Sequence, residues 1–315
     1  MRNLNLKNSA WIWSLVGSLV LWLVASVISH GVSFKLLFLN ATLASFLALL
    51  GLGQMVVITS GDGSIDLSMP YVLTLSAYVS AAVMNGRNAH LVEGIVLAVV
   101  VSLAVGLLNG VMISLLRIPA IITTLATGYI VYTALLQISS SRYGAYATSP
   151  GIQGFVHTQV DGLSIVVVLV IAAGGVVTWV IRSSVYGRRL LAMGQSRPAA
   201  KLVGIPINRM VLLNFLISAL FGAISGLLLG AFDGGAFINM GNAYLLTSIG
   251  AVVVGGTLIS GGKSSVIGTL GGALLLTLIV TVLELSNIAI GFRDVIEGLL
   301  LVGFILLSQG MRAQY

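Results

Sequence analysis

Long apolar runs recur along almost the whole of this chain, and they restrict its fold more than any other feature of the sequence. Each run has about 18 or more residues and would cross the ~30 Å hydrocarbon core of a bilayer as a helix. The alternation over about ten residues that marks membrane barrel strands is absent. Since 58% of residues are apolar and only 7% are charged, no stretch is left for a soluble domain. The sequence therefore predicts an all-α polytopic membrane protein with a single transmembrane domain over residues 1–315.

The apolar runs are separated by glycine, proline, asparagine or charged residues, and counting them predicts about ten transmembrane helices. The first run exceeds the usual length of a signal peptide and lacks a clean cleavage site, so we expect it to be retained as the first helix. The predicted spans are residues 11–29, 41–60, 67–84, 92–116, 118–138, 163–181, 210–231, 244–261, 264–285 and 290–308.

Lysine and arginine residues are distributed unevenly between the two sides of this predicted topology. With the N-terminus in the cytoplasm, eleven of the fifteen cations fall on the inner side and four on the outer side. This bias is the one expected from the positive-inside rule, and the opposite orientation would invert it. The sequence therefore predicts that the N- and C-termini are both cytoplasmic.

Two connections are much longer than the hairpins between the other spans, and they fall on opposite sides of the predicted membrane. The outer one, residues 139–162, either presents a surface to a partner in the external compartment or is a solvated connector between two spans. The inner one, residues 182–209, holds six of the fifteen cations and no acid. Such a composition is compatible with a loop that only signals topology or with a patch attracted to anionic lipid. Within it, Ser196 and Pro198 are typical of a helix start and Gly204 of a stop. We therefore expect a short capped cytoplasmic helix that needs a partner surface.

Residues 255–265, GGTLISGGKSS, are only superficially similar to a phosphate-binding loop. Such a loop requires G-x-x-x-x-G-K-[ST], because its glycines let backbone N–H groups surround the phosphates. Gly262, Lys263 and Ser264 supply the end of this pattern, but Thr257 occupies the position of the first glycine. The spacing therefore argues against a nucleotide site, and we expect a tight turn between the eighth and ninth spans.

Four segments, in order along the chain, resemble the permease subunits of bacterial ABC importers for monosaccharides, of the ribose, xylose and galactose type. Residues 58–73 (ITSGDGSIDLSMPYVL) are similar to that family's S-G-G-I-D-L-S-V-G signature, and residues 118–127 (IPAIITTLAT) to the start of its fifth helix. Residues 186–205 are similar to its cytoplasmic G-R-x-x-x-A-x-G segment, and residues 252–275 to its glycine-rich segment near the C-terminus. The resemblance implies a type II ABC-importer-like permease that binds no nucleotide itself.

Several positions depart from the family pattern. They leave the expected fold intact but put the identity of the substrate in doubt, and the roles of the proline and the lysine among them stay open. The departures are Ser64, Met69, Pro70, Gln195, Val203 and Lys263.

The resemblance implies that the short helix within residues 182–209 is a coupling helix, which sits in a cleft of the ATPase subunit and converts its closure into helix movement. Small residues there permit close approach, and cations can meet acidic groups on the partner. An unattached surface helix is the alternative. The residues expected to couple are Gly187, Arg188, Arg189, Ala199, Ala200, Lys201 and Gly204.

The glycine-flanked stretch before the third span is a candidate hinge. We expect Asp66 to be a structural acid that caps backbone N–H groups at the start of the next helix. Asp62 and Asp66 lack the further oxygens and the spacing of a calcium loop, so no metal site is predicted. The candidate hinge or signature residues are Gly61, Gly63, Asp66 and Ser68.

Polar side chains inside the predicted spans cost free energy unless they face other helices or an aqueous path. Helix packing explains most of them, and lining of a path for hydroxylated solutes is the sharper alternative. The candidate solute-path residues are Asn109, Thr123, Thr124 and Gln137.

The sequence offers no catalytic constellation and no metal-ligand pattern. Cysteine is absent, and His30, His90 and His157 fall in predicted outer loops without partners at ligand spacing. The net charge of +7 comes largely from the inner loop rather than from a nucleic-acid-binding face. We therefore expect no enzymatic activity, no cofactor and no nucleic-acid partner.

Together, these features predict a multi-pass permease subunit of the bacterial inner membrane, in contact with membrane lipid, that translocates a sugar or related polyol. The resemblance implies three partners: an ATP-binding subunit, a periplasmic or extracellular sugar-binding protein, and a second permease copy or paralogue that completes a dimer. The alternative is an ion-coupled secondary transporter or channel for a small neutral solute. That class would be expected to carry ionisable groups within its spans, and these are nearly absent here.

Overall fold

The apolar runs of the sequence form helices in the computed structural model. It describes residues 10–141 and 146–286, together with residues 288, 289, 291–293, 295, 296, 298, 299 and 303. The helices are α1 (Ala10–Ile28), α2 (Phe34–Thr59), α3 (Met69–Met84), α4 (Leu91–Ser114), α5 (Ala120–Ser141), α6 (Pro150–His157), α7 (Ile165–Ser183), α8 (Val185–Gln195), α9 (Arg197–Leu202), α10 (Ile207–Phe232), α11 (Tyr244–Val254) and α12 (Val266–Leu285).

Seven of these helices, α1, α2, α4, α5, α7, α10 and α12, are long and apolar enough to cross a bilayer, and α3 and α11 are shorter apolar helices. Each of the first nine predicted spans therefore coincides with an apolar helix in the described part of the chain. Most of the tenth predicted span, residues 290–308, lies outside the described residues. The architecture is that of an all-α polytopic membrane protein.

The predicted span at residues 244–261 is wrong in its extent, because α11 ends at Val254 after only 11 residues. The residue that follows, Gly255, lies against the backbone of Gly268 in α12, and a Cβ atom on either glycine would collide with the other residue's carbonyl group. The chain continues to α12 as a loop, residues 255–265. The apolar run continues past Val254, but the helix does not, because the chain leaves α11 where Gly255 meets the backbone of Gly268.

The outer connection, residues 139–162, is more structured than a plain connector. It contains α6, whose first turn is capped by the Ser149 hydroxyl. Two short strands follow, β1 (Gln159–Val160) and β2 (Leu163–Ser164), which pair antiparallel. The described part of the chain therefore includes a small hairpin that the sequence did not predict.

Helix α2 forms the centre of the bundle, and every residue from Ala44 to Thr59 is buried. It packs against α10, α11 and α12, while α10 also packs against α3 and α4. Close approach depends on glycine: a Cβ atom on Gly226 of α10 would collide with the carbonyl oxygen of Leu73 in α3. Helices α3 and α10 therefore approach each other backbone to backbone at this point.

The connections gather at two ends of the bundle. Residues 60–68, 182–209 and 255–265 lie together at one end, which we call the basic end because of the cations of its second segment. At the opposite end, the outer connection is tied to two other loops. Its Ala147 carbonyl accepts from the Gly86 amide at 2.9 Å, and the Thr148 amide donates to the Gly234 carbonyl at 3.2 Å.

Candidate functional site

The short helix α9 at the basic end forms as its sequence predicts. The Ser196 hydroxyl caps it by accepting from the Ala199 amide at 3.3 Å, and Pro198 stands in its first turn. At the other end, Gly204 adopts φ +79°, a left-handed conformation that favours glycine. The Gly204 amide donates to the Lys201 carbonyl at 3.1 Å, which closes the last turn. The expected capped helix is thus confirmed.

One face of α9 is anchored to its own subunit through Ala200. This side chain is only 3% exposed and packs in an apolar cluster with Val56, Leu190, Met193 and Met210. The Ala200 methyl group therefore faces helices of its own subunit, and close approach by a partner stays a prediction for the exposed Ala199 and Gly204. The residues of the predicted set that are exposed at the basic end are Arg188, Arg189, Ala199, Lys201 and Gly204.

Two apolar side chains at the end of α9 are open to the surroundings. Leu202 is 89% exposed and Val203 is 76% exposed, although both belong to the most basic segment of the chain. At about 100° per residue, Leu202 points roughly away from the anchored Ala200. Sequence reasoning did not select this pair, and the signal was available: two adjacent apolar residues stand directly before the Gly204 stop. An apolar pair rimmed by cations is typical of a surface that another protein covers.

Gly187 has a structural position at the junction of α7 and α8. A Cβ atom there would collide with the carbonyl oxygen of Ile181, so only glycine lets α8 turn back so closely on α7. The Ser184 hydroxyl caps α8 by accepting from the Gly187 amide at 3.0 Å. On the next residue, Arg188 donates to the Ser183 carbonyl at 3.2 Å. Gly187 therefore places the exposed arginines rather than contacting a partner itself.

Arg197, the first residue of α9, holds the loop of residues 60–68. Its guanidinium donates to the Asp62 carboxylate at 2.7 Å, to the Ser64 hydroxyl at 3.0 Å and to the Gly61 carbonyl at 3.2 Å. Burial lowers the pKa of Arg197 and the Asp62 carboxylate opposes that shift, and a guanidinium stays charged in proteins. The sequence counted Arg197 only among the loop cations, so this link between α9 and the signature loop is a product of the tertiary structure.

The loop of residues 60–68 presents its backbone to α9 because three successive residues are left-handed. Gly61, Asp62 and Gly63 have φ values of +74°, +58° and +65°. Two of the three are glycines, which adopt this conformation at little cost. The turn directs both the Gly61 carbonyl and the Asp62 side chain toward Arg197.

The loop of residues 255–265 packs backbone to backbone against its two neighbours at the basic end. The Gly262 amide donates to the Thr59 carbonyl at 3.0 Å. A Cβ atom on Gly194 would collide with that same carbonyl and with the Gly262 nitrogen, and one on Gly61 would lie 2.9 Å from the Gly194 carbonyl oxygen. The glycines of GGTLISGGKSS therefore allow three loops to meet, which explains their abundance without a bound phosphate.

Asp66 is the centre of a buried polar network. Its Oδ1 accepts from the Ser68 amide at 3.0 Å and from the Ser68 hydroxyl at 2.6 Å, while its Oδ2 accepts from the Ser218 hydroxyl of α10 at 2.6 Å. The Gln54 amide of α2 reaches the Asp66 backbone, with its nitrogen donating to the carbonyl at 3.1 Å and its oxygen accepting from the amide at 3.2 Å. Asp66 thus binds a backbone N–H at the start of α3, as predicted, and joins three elements.

The network continues into α4 and α5. Asn109 of α4 donates to the Ser68 hydroxyl at 2.8 Å and accepts from the Thr127 hydroxyl of α5 at 2.6 Å. Thr124 of α5 accepts from the Leu67 amide at 3.0 Å. Loop 60–68 is therefore hydrogen-bonded to α2, α4, α5 and α10, so movement of this loop is coupled to the packing of four helices.

Comparison with known proteins decides the family. The model of the family described as "Branched-chain amino acid transport system / permease component" matches residues 36–305, which is most of the chain. The chain belongs to this permease family. The resemblance seen in the four motifs is thereby confirmed at the level of the family, and the permease is a transport component of an ABC importer in the bacterial inner membrane rather than an enzyme.

Two curated relatives illustrate the similarity. The permease is 30% identical over 283 residues to the autoinducer 2 import system permease protein LsrC of Enterobacter sp. (strain 638), covering 89% of this chain and 80% of the relative. It is 27% identical over 271 residues to the protein of the same name from Yersinia pseudotuberculosis serotype O:3 (strain YPIII), covering 85% and 76%. No solved structure matches the permease.

The structure divides the predicted solute-path residues of the permease into two groups. Asn109 and Thr124 are buried within the network, and their hydrogen bonds are made to their own subunit. Thr123 is also buried, and within the described residues its hydroxyl has no hydrogen-bond partner. Gln137 is different, because it lies exposed on the surface of α5.

The two acids of the signature loop do not form a cation site. The Asp62 carboxylate is engaged by Arg197, whereas the Asp66 carboxylate is buried with serine donors. Among the described residues of the permease, no group of three or more His, Cys, Asp or Glu is arranged to hold a metal ion.

Proposed function

We propose that this permease carries a small, uncharged, hydroxylated solute, a sugar or related polyol, inward across the membrane with energy from a separate ATPase subunit. The family is described by branched-chain amino acid transport, whereas the similar LsrC proteins are named for autoinducer 2 import. The four sequence motifs favour the monosaccharide importers. Within the described apolar helices, lysine and arginine stand only near helix ends, at Lys35, Arg182 and Arg209. None would compensate an anion at the centre of the membrane, which supports a neutral solute.

The proposed topology has about ten spans, with the basic end and both termini in the cytoplasm and one transmembrane domain over the whole chain. Nine apolar helices account for the first nine spans in the described part of the chain. Six of fifteen cations stand in residues 182–209, and the positive-inside rule places such a segment in the cytoplasm. The opposite end, with α6 and the β1–β2 hairpin, then faces the sugar-binding protein.

We propose that α9 couples the permease to the ATPase. One observation carries this proposal: Leu202, the last residue of α9, and Val203, which follows it, are exposed, whereas the other face of α9 is anchored by Ala200 and Arg197. A displacement of an anchored helix is passed on to the helices that hold it, because its inner face cannot slide independently of them. The exposed pair supplies the apolar centre of the contact, and Arg188, Arg189 and Lys201 supply a cationic rim.

The contacts also define a route for the movement. A displacement of α9 pulls the loop of residues 60–68 through Arg197, and that loop is hydrogen-bonded to α2, α4, α5 and α10 through Asp66, Ser68 and their partners. In the proposed dimer with a second copy or paralogue, the solute path lies between the two subunits. Closure of the ATPase would then reorient helices that border the path.

Reconstitution tests this function. The permease is purified with its co-purifying ATPase and binding protein, placed in liposomes, and assayed for uptake of labelled D-ribose, D-xylose, D-galactose and L-leucine. We expect uptake of a sugar that requires ATP and the binding protein, and that is lost with an ATPase variant unable to hydrolyse ATP. Uptake driven by a proton or sodium gradient without the ATPase would contradict the proposal and favour the ion-coupled alternative.

A further inference from the structure

Helix α5 carries a polar stripe on its outward face. It packs against α3 and α4, and Tyr129, Thr133 and Gln137 are exposed along its other side. Their spacing of four residues places these side chains one above another on one face of the helix. Polar groups on a spanning helix are disfavoured against hydrocarbon. The exposed Ile122 and Leu136 lie on the same face, and the Thr133 hydroxyl donates to the Tyr129 carbonyl at 2.8 Å. The face is therefore of mixed polarity, and its Tyr129 and Gln137 side chains favour water or another subunit over lipid.

The aromatic part of this surface lies near the middle of the membrane. Tyr129 and Tyr132 come nine and twelve residues after Ala120, the first residue of α5. At 1.5 Å per residue they lie about 14 and 18 Å along the helix, and the hydrocarbon core is ~30 Å thick. Tyrosine is usually enriched at the two interfaces of a membrane, so interfacial anchoring does not explain this position.

Three tyrosines pack together at this depth. The ring of Tyr71 in α3 lies 5.8 Å from that of Tyr129 and 6.0 Å from that of Tyr132 between centroids. Gly128 makes the contact possible, because a Cβ atom there would collide with the Tyr71 ring. The cluster therefore spans two neighbouring helices, and Tyr129 remains 54% exposed.

A stretch without helix, residues 233–243, supplies the fourth member of the group. It connects α10 to α11, and its Asn239 accepts a hydrogen bond from the Tyr132 hydroxyl at 3.3 Å. Its Gly241 lies against the carbonyl oxygen of Pro70, in the first turn of α3 beside Tyr71. Irregular backbone at membrane depth is tolerated where protein buries it or where it lines water, and Asn239 is exposed.

We propose that this surface, the tyrosine face formed by Tyr71, Tyr129, Tyr132 and Asn239, lines the solute path. The inference rests on the proposed function, in which a second subunit closes the other side of the path. Aromatic faces pack on the C–H faces of a sugar ring, while phenol hydroxyls and the amide exchange hydrogen bonds with its hydroxyls. The tyrosine face carries no charged side chain, which matches an uncharged solute. It thus replaces the buried Asn109 and Thr124 as the solute-contacting surface.

Cysteine accessibility tests the inference, and the native chain contains no cysteine, so single variants need no other change. Tyr129→Cys, Tyr132→Cys, Thr133→Cys and Asn239→Cys are each treated in membranes with a membrane-impermeant, water-soluble thiosulfonate. Val176→Cys, on the exposed apolar face of α7, is the matched lipid-facing control. Thr133→Cys hardly changes side-chain volume, so it keeps the test valid if a tyrosine variant does not fold.

We expect labelling at positions 129, 132, 133 and 239 to be at least about tenfold faster than at position 176. Equal labelling at all five positions would overturn the inference. So would a result in which positions 129, 132, 133 and 239 react with a lipid-soluble maleimide but not with the thiosulfonate. Disulfide bonds between two copies of the permease, with no reaction of these cysteines with the water-soluble thiosulfonate, would also overturn the inference. Such a result would show that the surface is a subunit interface without water. This assay needs no ATP, so its failure beside intact ATP-driven uptake counts against the tyrosine face alone.

A transport measurement then tests the role of the hydroxyls and the amide. In the reconstituted complex, Tyr129→Phe, Tyr132→Phe and Asn239→Ala are compared with Tyr78→Phe, a change on α3 at a buried ring packed on Tyr146. We expect the first three to lower sugar uptake several-fold while stimulation of ATP hydrolysis by the binding protein is kept. Uptake equal to that of Tyr78→Phe in all three variants would overturn the role in the path. A wild-type complex that carries L-leucine but none of the three sugars would overturn the match to a hydroxylated solute.

Discussion

The Arg197 guanidinium donates to the Asp62 carboxylate at 2.7 Å, across 135 positions of sequence. This contact joins the first residue of α9 to the left-handed turn that precedes the buried Asp66 network. The Asp62 side chain is 68% exposed, and exposed ion pairs contribute only about 0–1 kcal/mol to stability. The importance we assign to the pair is therefore positional: it ties a surface helix to a loop on which four spans depend.

Loss of this contact should uncouple solute uptake by the permease from ATP hydrolysis by its partner subunit. Arg197→Ala removes the bonds to Asp62, Ser64 and the Gly61 carbonyl, so α9 no longer pulls on the loop. We expect solute uptake per ATP hydrolysed to fall about tenfold in reconstituted vesicles, with the ATPase still bound. Arg182→Ala, another cation at the same end, serves as the control. An unchanged ratio of uptake to hydrolysis in the Arg197 variant would show that force does not pass through this residue.

The exposed apolar pair of α9 should hold the ATPase. Full burial of a leucine or valine side chain contributes about 1.5–3 kcal/mol, so the double variant Leu202→Asp, Val203→Asp should weaken association by more than about tenfold. Co-purification of the ATPase with the tagged permease measures the effect. Asn208→Asp adds a charge at an exposed position of the same segment and should leave association intact. Equal recovery of the ATPase with both variants would place the docking surface elsewhere.

The Asp66 network should contribute strongly to stability. Asp66→Ala leaves the hydroxyls of Ser218 and Ser68 without their acceptor, and buried polar groups without partners cost about 1–3 kcal/mol each. We expect a clearly lower Tm for the detergent-solubilised permease. Asp66→Asn keeps one oxygen acceptor and should lie between that variant and the wild type. Glu93→Gln, at an exposed acid, is the control, and a Tm drop no larger than that of Glu93→Gln would refute a structural role for the carboxylate.

The meeting of three loops at the basic end should tolerate no side chain at Gly194. Alanine there would bring a methyl group into the Thr59 carbonyl and the Gly262 nitrogen, and backbone atoms cannot turn aside as a flexible side chain can. We expect Gly194→Ala to lower both the Tm and the amount of folded permease in the membrane. Gly175→Ala, in α7 with open space around it, should be neutral or stabilising by up to about 1 kcal/mol. Similar stability of the two variants would show that the loops separate readily.

The helix at residues 197–202 was predictable, because residues next to it in the sequence determine where it begins and ends. Ser196 and Pro198 start it and Gly204 ends it through interactions within a few residues. Which of its faces is buried was not predictable from that pattern. Ala200 and Leu202 are both apolar, and only the packing of Val56, Leu190 and Met193 against one side decides that Ala200 points inward.

The candidate site shows the same division. Asp66 and Ser68 were selected from the sequence as signature residues, and Asn109 and Thr124 because polar residues in apolar segments must find partners. Their assembly into one network was not visible, because the hydrogen bond from Asn109 to Ser68 crosses 41 positions and that from Ser218 to Asp66 crosses 152. The tyrosine face escaped notice for a related reason: tyrosines at different places in the chain have no pattern until α3 and α5 pack side by side.

The sequence by itself determined that this chain is a bundle of membrane helices and where most of them begin and end, because hydrophobic length, helix caps and glycine stops act over a few residues. It also carried the motifs of its permease family. Only the tertiary structure decided that α11 ends early at Val254, that Arg197 holds Asp62 and that Tyr71 contacts Tyr129. These outcomes depend on how closely two distant backbones approach, and that distance is set by the packing of the whole bundle.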